Sequence, residues 1–172
     1  MSEACASLVD MSQQARREAP GMSESLLSQA RPGAFREFLD GKLPAPPAAA
    51  LLGWELSWVA PERGEIEVFF DAHEGFTNPM GNVQGGFLAA MLDDTFGPAI
   101  AATLADGEFA PTLELKVSFL RPAAPGRITG TGRVVHRGGS IAFLAGELRN
   151  EAGDLLATGT ATARVIRTAS AG

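Results

Sequence analysis

The amino-acid sequence predicts an α+β fold in which an antiparallel sheet covers one long helix. Stretches on both sides of an apolar segment alternate apolar with polar residues, which is typical of half-buried strands. The apolar segment itself, residues 87–105, has the length of a helix rather than of a strand. No helical segment separates the later strands from one another, so a doubly wound parallel sheet is excluded.

Length and composition indicate one globular domain. The chain has 172 residues, of which 45% are apolar and 20% charged, enough for a single hydrophobic core. Its net charge of −6 argues against a nucleic-acid partner, because phosphate binding needs clustered Lys and Arg. The single cysteine, Cys5, and two histidines allow neither an internal disulfide nor the usual zinc sites. We therefore expect a cytoplasmic protein with no metal, no cofactor and, without a signal peptide, no membrane association.

The first fifty residues, 1–50, are predicted to form an extension with short helices. Helical periodicity is weak over the first thirty residues, and an amphipathic piece around Phe38 follows. The proline-rich run 44–47 then favours extended chain that leads into the main domain. We place that domain at 51–167 and a flexible tail at 168–172.

A hairpin is predicted before the helix and further strands after it. The first strand carries on one face Trp54, Leu56 and Trp58, and the second carries Ile66, Val68 and Phe70. The later segments are 112–120, 127–135, 141–148 and 155–166. Five or six segments are expected to form the sheet, in the order β-β-α-β-β-β.

The segment 112–120 alternates most regularly. Its apolar residues, from Leu113 to Phe119, occupy every second position, and Thr112 falls with the charged and polar residues between them. The pattern predicts a strand with one face on the core and Thr112 on the opposite face.

The helix is apolar almost all round, apart from Asp93 and Asp94 at its middle. Each carboxylate would cost roughly 2.5–3.5 kcal/mol at the centre of a bilayer, so a buried helix is favoured over a membrane span. A helix that is apolar on every side needs cover on every side, and a second copy of the chain is the simplest cover. We therefore expect a homodimer or a dimer of dimers.

Gly85 and Gly86 open this helix, where the first amides have no helical acceptor and the dipole is positive. Such an end can stabilise an oxyanion, and the missing Cβ lets an acyl carbonyl approach closely. A simple turn is the alternative interpretation of a Gly-Gly pair. Asp93 lies two helical turns from Gly85, about 12 Å along the axis. Both could act on one carbonyl only if antiparallel helices of two chains share each site.

Asp93 is preferred over Asp94 as the reactive carboxylate. Asp93 shares its side of the helix with small residues between Gly86 and Gly97, which leave space for a ligand or partner. Asp94 shares its side with larger residues, and we interpret it as a solvated or structural carboxylate. Pro98 removes the hydrogen bond to the Asp94 carbonyl and is expected to kink or end the helix.

The run NPMGNVQGG at 78–86, followed by Asp93, resembles the signature of hotdog-fold acyl-CoA thioesterases of the phenylacetic-acid-degradation type. One class of 4-hydroxybenzoyl-CoA thioesterases shares this pattern. The likeness continues through the later strands and covers about 51–164. It implies a hotdog fold, hydrolysis of an acyl-CoA, and active sites made by two subunits.

The resemblance assigns the Gly85 amide to the thioester oxygen and Asp93 to attack or to activation of water. It assigns Asn78 and Thr112 to positioning. The family usually has a histidine where this chain has Gln84. Glutamine can orient a group through hydrogen bonds but cannot titrate, so proton transfer by this residue is unavailable.

For substrate contacts, the resemblance adds Gly86 and suggests basic residues at the rim of the site for the CoA phosphates. Arg121 and Arg137 are the candidates, and a solvated surface arginine is the alternative for each. The acyl group is not identified, because a pocket lined by Phe87, Met91 or Phe96 would admit aromatic and medium-chain groups alike.

A non-catalytic acyl-CoA-binding hotdog protein is the alternative function, and Gln84 is the feature that favours it. A hydratase or dehydratase on the same fold is disfavoured, because the motif of those enzymes contains a catalytic histidine that this sequence does not have.

Overall fold

The six strands predicted from alternating residues are present. The computed structural model describes residues 34–167. In chain order the elements are α1 (Ala34–Leu39), α2 (Pro47–Leu52), β1 (Glu55–Ala60), β2 (Glu65–Ala72), a 3₁₀ turn (Glu74–Phe76), α3 (Gly85–Ala101), β3 (Glu108–Phe109), β4 (Thr112–Phe119), β5 (Gly126–Arg137), β6 (Ile141–Asn150), β7 (Leu155–Arg164) and β8 (Ile166–Arg167). The first thirty residues, with their weak helical periodicity, and the predicted tail at 168–172 lie outside the described residues.

The main sheet has the order β1-β2-β5-β6-β7-β4, and each neighbouring pair is antiparallel. Helix α3 packs on one face of this sheet, so the predicted hotdog fold is confirmed. Four strands of the sheet follow the helix, one more than the predicted order, because all six segments take part. The short strands β3 and β8 form a separate ribbon. No helix within residues 34–167 is long and apolar enough to cross a membrane.

Two short helices precede β1, and the second of them includes part of the proline-rich run that is predicted to be extended. Helix α2 begins at Pro47, at the end of the run that favours extended chain. Proline is tolerated in a first helical turn because the amide that it lacks has no helical acceptor there. The helix ends at Gly53, whose φ of 64° is unstrained for glycine. The predicted domain start at residue 51 therefore falls inside α2.

A bulge in β1 corrects the predicted position of Trp58. Leu56 lies opposite the buried Val68, whereas Trp58 lies opposite Glu67, so Ser57 is an extra residue in the pairing. Directly opposed residues point to the same face of a sheet, and Trp58 therefore points away from the core. Regular alternation places Trp58 on the core face, because it assumes that β1 contains no bulge.

Glycines in the central strands let helix α3 lie very close to the sheet. A Cβ at Gly130 would stand 2.5 Å from Thr95 Oγ1, and one at Gly132 would stand 2.9 Å from Thr95 Cγ2. On the next two strands, Gly146 and Gly159 face Phe96 and Leu92 in the same way. We call Gly130, Gly132, Gly146 and Gly159 the glycine seam. The helix side chains fill the space that strand side chains would otherwise take.

Pro98 does not end helix α3, contrary to one of the two expected effects. The helix continues to Ala101, and the Ala102 amide donates to the Pro98 carbonyl at 3.0 Å. A proline removes only one hydrogen bond of the helix, the bond to the carbonyl four residues earlier. The Asp94 carbonyl is the acceptor that loses its helical donor.

Gly146→Ala is expected to lower the free energy of unfolding by about 1–3 kcal/mol, because overpacking forces the helix and sheet apart. The new Cβ would meet the Thr131 carbonyl oxygen and would stand 2.6 Å from Phe96 Cε1. Gly139→Ala is the matched control, since a Cβ there would meet nothing within 4 Å. Urea unfolding of both variants measures the difference, and equal midpoints would contradict the role of the glycine seam.

Candidate active site

Asp93 and Thr112 form a hydrogen-bonded pair on the exposed side of helix α3. The Thr112 hydroxyl donates to Asp93 Oδ1 at 2.8 Å, and both residues are exposed. Asp93 therefore presents a carboxylate with one oxygen fixed by Thr112 and the other open to solvent or substrate. The structure thus brings together two residues that the sequence analysis selected separately.

A bulge at the start of β4 makes this contact possible. Thr112 lies opposite the buried Ala163, whereas Glu114 lies opposite Thr162, so Leu113 is an extra residue. Thr112 therefore points to the helix side of the sheet, like Ala163. The prediction that Thr112 shares a face with Glu114 is wrong, because an extra residue reverses the alternation.

The amino end of helix α3 presents free amides near an open surface. Gln84 occupies the cap position, and its carbonyl accepts from the Phe87 amide at 2.9 Å. The amides of Gly85 and Gly86 precede this first helical bond, as expected for a helix start. Gly86 is exposed, and a Cβ there would meet nothing within 4 Å. The exposed Gln84 side chain makes no capping hydrogen bond, so it is available to orient a ligand.

Asn78 shapes the loop that leads to this helix end. Its Oδ1 accepts from the Met80 amide at 2.9 Å and from the Asn82 amide at 3.3 Å. The Gln84 amide then donates to the Phe76 carbonyl at 2.8 Å, which ties the loop to the helix. Asn78 therefore acts in this structure through the loop backbone.

A cleft of about 420 Å³ lies beside the start of the helix. It is lined by Asn78, Asn82, Val83, Gly85, Leu88, Phe119, Leu120, Arg121, Pro122 and Ala123. The Phe119 ring lies over Gly85, whose Cβ, if present, would stand 3.1 Å from Phe119 Cζ. Arg121 is held at the cleft because its Nη1 donates to the Leu155 carbonyl at 3.0 Å. Three predicted site residues, Asn78, Gly85 and Arg121, therefore meet here.

Arg137 has other partners. Its guanidinium donates to the Thr103 carbonyl at 2.6 Å and to Glu108 at 2.5 Å. Glu108 also accepts from the Ala105 amide and from Arg167, and these donors, the amide above all, lower the pKa of Glu108 to about 2. Arg137 is thus bound near the carboxyl end of helix α3 and does not line the cleft.

The predicted lining of an acyl pocket is wrong for two of its three residues. Met91 and Phe96 are fully buried between the helix and the sheet, and Phe87 stacks on Phe76 with 4.1 Å between ring centroids. The apolar residues that line the cleft instead include Leu88 and Phe119. A helix that is apolar on every side gives no signal of which side faces the sheet.

One chain keeps the two parts of the site apart. Gly85 and Asp93 lie in the same uninterrupted helix, about 12 Å apart along its axis. Asn78 and Arg121 lie with Gly85, whereas Thr112 lies with Asp93. A single chain therefore places the amides of the helix start in one region and the Asp93 carboxylate in another.

Asp94 is a half-buried carboxyl on the other side of the helix. Its Oδ2 is buried and has no hydrogen-bond partner among the described residues. Burial raises the pKa of Asp94 to about 6, and the charge of neighbouring Asp93 acts in the same direction. An ionised Asp94 is therefore a cost to the folded state.

Asp94→Asn is expected to stabilise the protein at pH 7.5 by on the order of 1–2 kcal/mol, allowing for partial exposure. Because the folded pKa is raised, the wild type loses stability as the pH rises from about 4 to about 6. The difference in melting temperature should therefore shrink towards pH 4. Thermal unfolding across this range measures it, with Asp106→Asn at an exposed aspartate as the control. A pH-independent difference would contradict the prediction.

Comparison with known proteins identifies the family. The model of the thioesterase superfamily matches residues 80–157. A curated protein of Saccharolobus solfataricus, named provisionally as an esterase, is 32% identical over 107 residues, which cover 62% of this chain and 76% of that protein.

Solved structures of related proteins have the same fold as this chain. A phenylacetic acid degradation-related protein of Ralstonia eutropha JMP134, described provisionally as a thioesterase, is 42% identical and superimposes with a TM-score of 0.75 over 77% of this chain and 99% of its own. The PaaI protein of the E. coli phenylacetic acid degradation operon shares the fold, with 21% identity and a TM-score of 0.70 over 82% of this chain and 96% of its own. On the match to the family model and the two relatives above 30% identity, the chain belongs to the thioesterase superfamily.

Proposed function

We propose that this chain hydrolyses the thioester bond of an acyl-CoA to the free acid and CoA, with Asp93 as the reactive carboxylate. By its family the chain is a thioester hydrolase. The observation that carries the proposal is the Asp93 carboxylate, exposed and held at 2.8 Å by Thr112. Asp93 lies on the same side of helix α3 as Gly86. Gly86 belongs to the amino end of the helix, where unbonded amides can stabilise an oxyanion.

The chemistry follows from these positions. The thioester oxygen accepts a hydrogen bond from the Gly85 amide, which stabilises the negative charge that develops there. Asp93 takes a proton from water, or it attacks the carbonyl carbon itself and expels the CoA thiolate, which leaves a mixed anhydride that water hydrolyses to the free acid and Asp93. With water as nucleophile, its oxygen bonds to the acyl carbon as the carbon–sulfur bond breaks, and the proton passes to the leaving thiolate. Thr112 keeps the carboxylate in place throughout.

Aromatic or medium-chain acyl groups are the proposed substrates. The cleft beside Gly85 has a volume of about 420 Å³ and is lined in part by Val83, Leu88 and Phe119. Its size falls within the range of small-molecule sites, about 300–1,000 Å³. Arg121, fixed at the cleft, is proposed to contact a CoA phosphate. The working compartment that we propose is the cytoplasm.

We further propose that two copies of the chain share each site. The side of helix α3 that carries Gly86 and Asp93 is exposed in one copy. Beside it, the edge strand β4 exposes large apolar side chains, with Leu113 at 58% and Phe119 at 54%. A second copy with its helix antiparallel to the first would cover these surfaces and would bring its Asp93 towards the first copy's Gly85.

Asp93→Asn is expected to lower kcat by about 10²-fold or more, because an amide can neither take a proton nor attack. Asp94→Asn should retain most turnover, since Asp94 points away from the Thr112 side. A panel of aromatic and medium-chain acyl-CoA esters assayed for free thiol provides the measurement.

Equal losses in the two variants, or no loss with Asp93→Asn, would remove Asp93 from its proposed role. Tight binding of acyl-CoA without thiol release from any ester would favour the alternative of a binding protein. Gln84 is the observation that supports this alternative, because it cannot transfer protons at a position where the family usually has a histidine.

Subunit mixing tests the shared site. Asp93→Ala and Gly85→Pro are each expected to be inactive. Proline is tolerated at the first helical position of Gly85 and removes its amide, and the end of the Phe119 ring, 3.1 Å from a Cβ there, has to shift. When the two proteins are unfolded together and refolded, about half the dimers are mixed, and each mixed dimer has one site with no lesion. Activity should return to roughly a quarter of the wild-type value. No recovery in a sample in which mass spectrometry detects the mixed dimer would exclude shared sites.

A further inference from the structure

The hydrogen bond that helix α3 loses at Pro98 is replaced from outside the helix. Pro98 has no amide hydrogen, so the carbonyl of Asp94, four residues earlier, has no helical donor. The indole Nε1 of Trp54 donates to this carbonyl at 3.1 Å in a partly buried setting. The donor and the acceptor are 40 residues apart in sequence, so this contact is tertiary.

Trp54 also ties the N-terminal extension to the helix. Its amide donates to the Ala49 carbonyl of α2 at 3.0 Å, and its ring lies 5.6 Å from the Phe38 ring. Phe38 in turn contacts Phe35, with 6.5 Å between ring centroids. Trp54 thus connects α1 and α2 to the turn of α3 that carries both aspartates, through its backbone amide and its indole ring.

We propose that Trp54 is a positioning residue for Asp93, because its hydrogen bond to the Asp94 carbonyl fixes the helical turn that presents Asp93 to Thr112. The inference rests on the proposed role of Asp93. It makes the N-terminal extension part of the support of the active site.

The physical basis is the weakness that a proline introduces in a helix. A carbonyl without a donor lets the helix bend at that turn, since one bond of the ladder is missing. Asp93 and Asp94 share a peptide group, so a change of backbone at Asp94 moves Asp93 directly. The contact at risk is the 2.8 Å hydrogen bond between Thr112 and Asp93. Catalytic groups are sensitive to such shifts, and a displacement of about 1 Å can lower turnover by as much as 10²-fold.

A double-mutant cycle separates this hydrogen bond from ring packing. Trp54→Phe keeps an aromatic ring but removes the donor. Pro98→Ala supplies an amide at the position from which a helix normally donates to the Asp94 carbonyl. The four proteins are the wild type, the two single variants and the double variant. Trp58→Phe, at the chain's other tryptophan on the outer face of the sheet, is the matched control.

With proline at 98, Trp54→Phe is expected to lower kcat for thiol release about tenfold, with KM changed less than about twofold. In the Pro98→Ala background the same change should lower kcat less than about twofold, because the helix then makes its own bond. The melting temperature should follow the same pattern, with a loss of roughly 2–4 °C only when proline is present. Trp58→Phe should leave kcat unchanged.

The outcomes separate this inference from the proposed function. Equal losses of kcat in both backgrounds would show that Trp54 acts through packing, and would overturn the inference. If the effect of Trp54→Phe depends on Pro98 in the melting temperature but not in kcat, the inference is also overturned, because the hydrogen bond then stabilises the fold without positioning Asp93. A wild-type protein that releases no thiol from any ester would instead contradict the proposed function, and the positioning role with it.

Discussion

The close approach of helix α3 to the sheet is the constraint on which the rest of the molecule depends. The glycine seam removes strand side chains where Leu92, Thr95 and Phe96 enter, so one side of the helix is packed to contact with the backbone. The opposite side of the helix faces away from the sheet and carries Asp93. The edge strand β4 lies close enough to this side for Thr112 to reach Asp93, because the helix sits so close to the sheet.

The two ends of the exposed helix side carry complementary chemistry. The amino end has unbonded amides at Gly85 and Gly86, where negative charge is stabilised, and Asp93 supplies a fixed carboxylate two turns later. A straight helix cannot bring these groups to one carbonyl, and the antiparallel pair of copies that we propose would do so. The exposed apolar side chains of the edge strand β4 support the same proposal.

Hydrophobic periodicity predicts the fold because the strands of the main sheet turn one face to the core. Even β4, which has no fully buried residue, packs the half-buried Leu115 and Val117 against it. It fails at Trp58 and Thr112, where a bulge adds one residue and reverses the faces that alternation assigns. It also cannot tell which side of an all-apolar helix meets the sheet, so it does not predict that Met91 lies in the core rather than in a pocket. The partner of the Asp94 carbonyl could have been sought from the sequence, since Pro98 marks a carbonyl without a donor, but nothing local identifies Trp54 as that donor.

The bulge at Leu113 shows how the contact between Thr112 and Asp93 can arise. Thr112 reaches Asp93 only because β4 contains one residue more than regular pairing requires. A strand of the same composition, shortened by that one residue, would pair more regularly and would turn the hydroxyl to the outer surface. Insertion or deletion of a single codon, with no exchange of one amino acid for another, therefore separates a strand that only closes the sheet from one that also places a hydroxyl against Asp93.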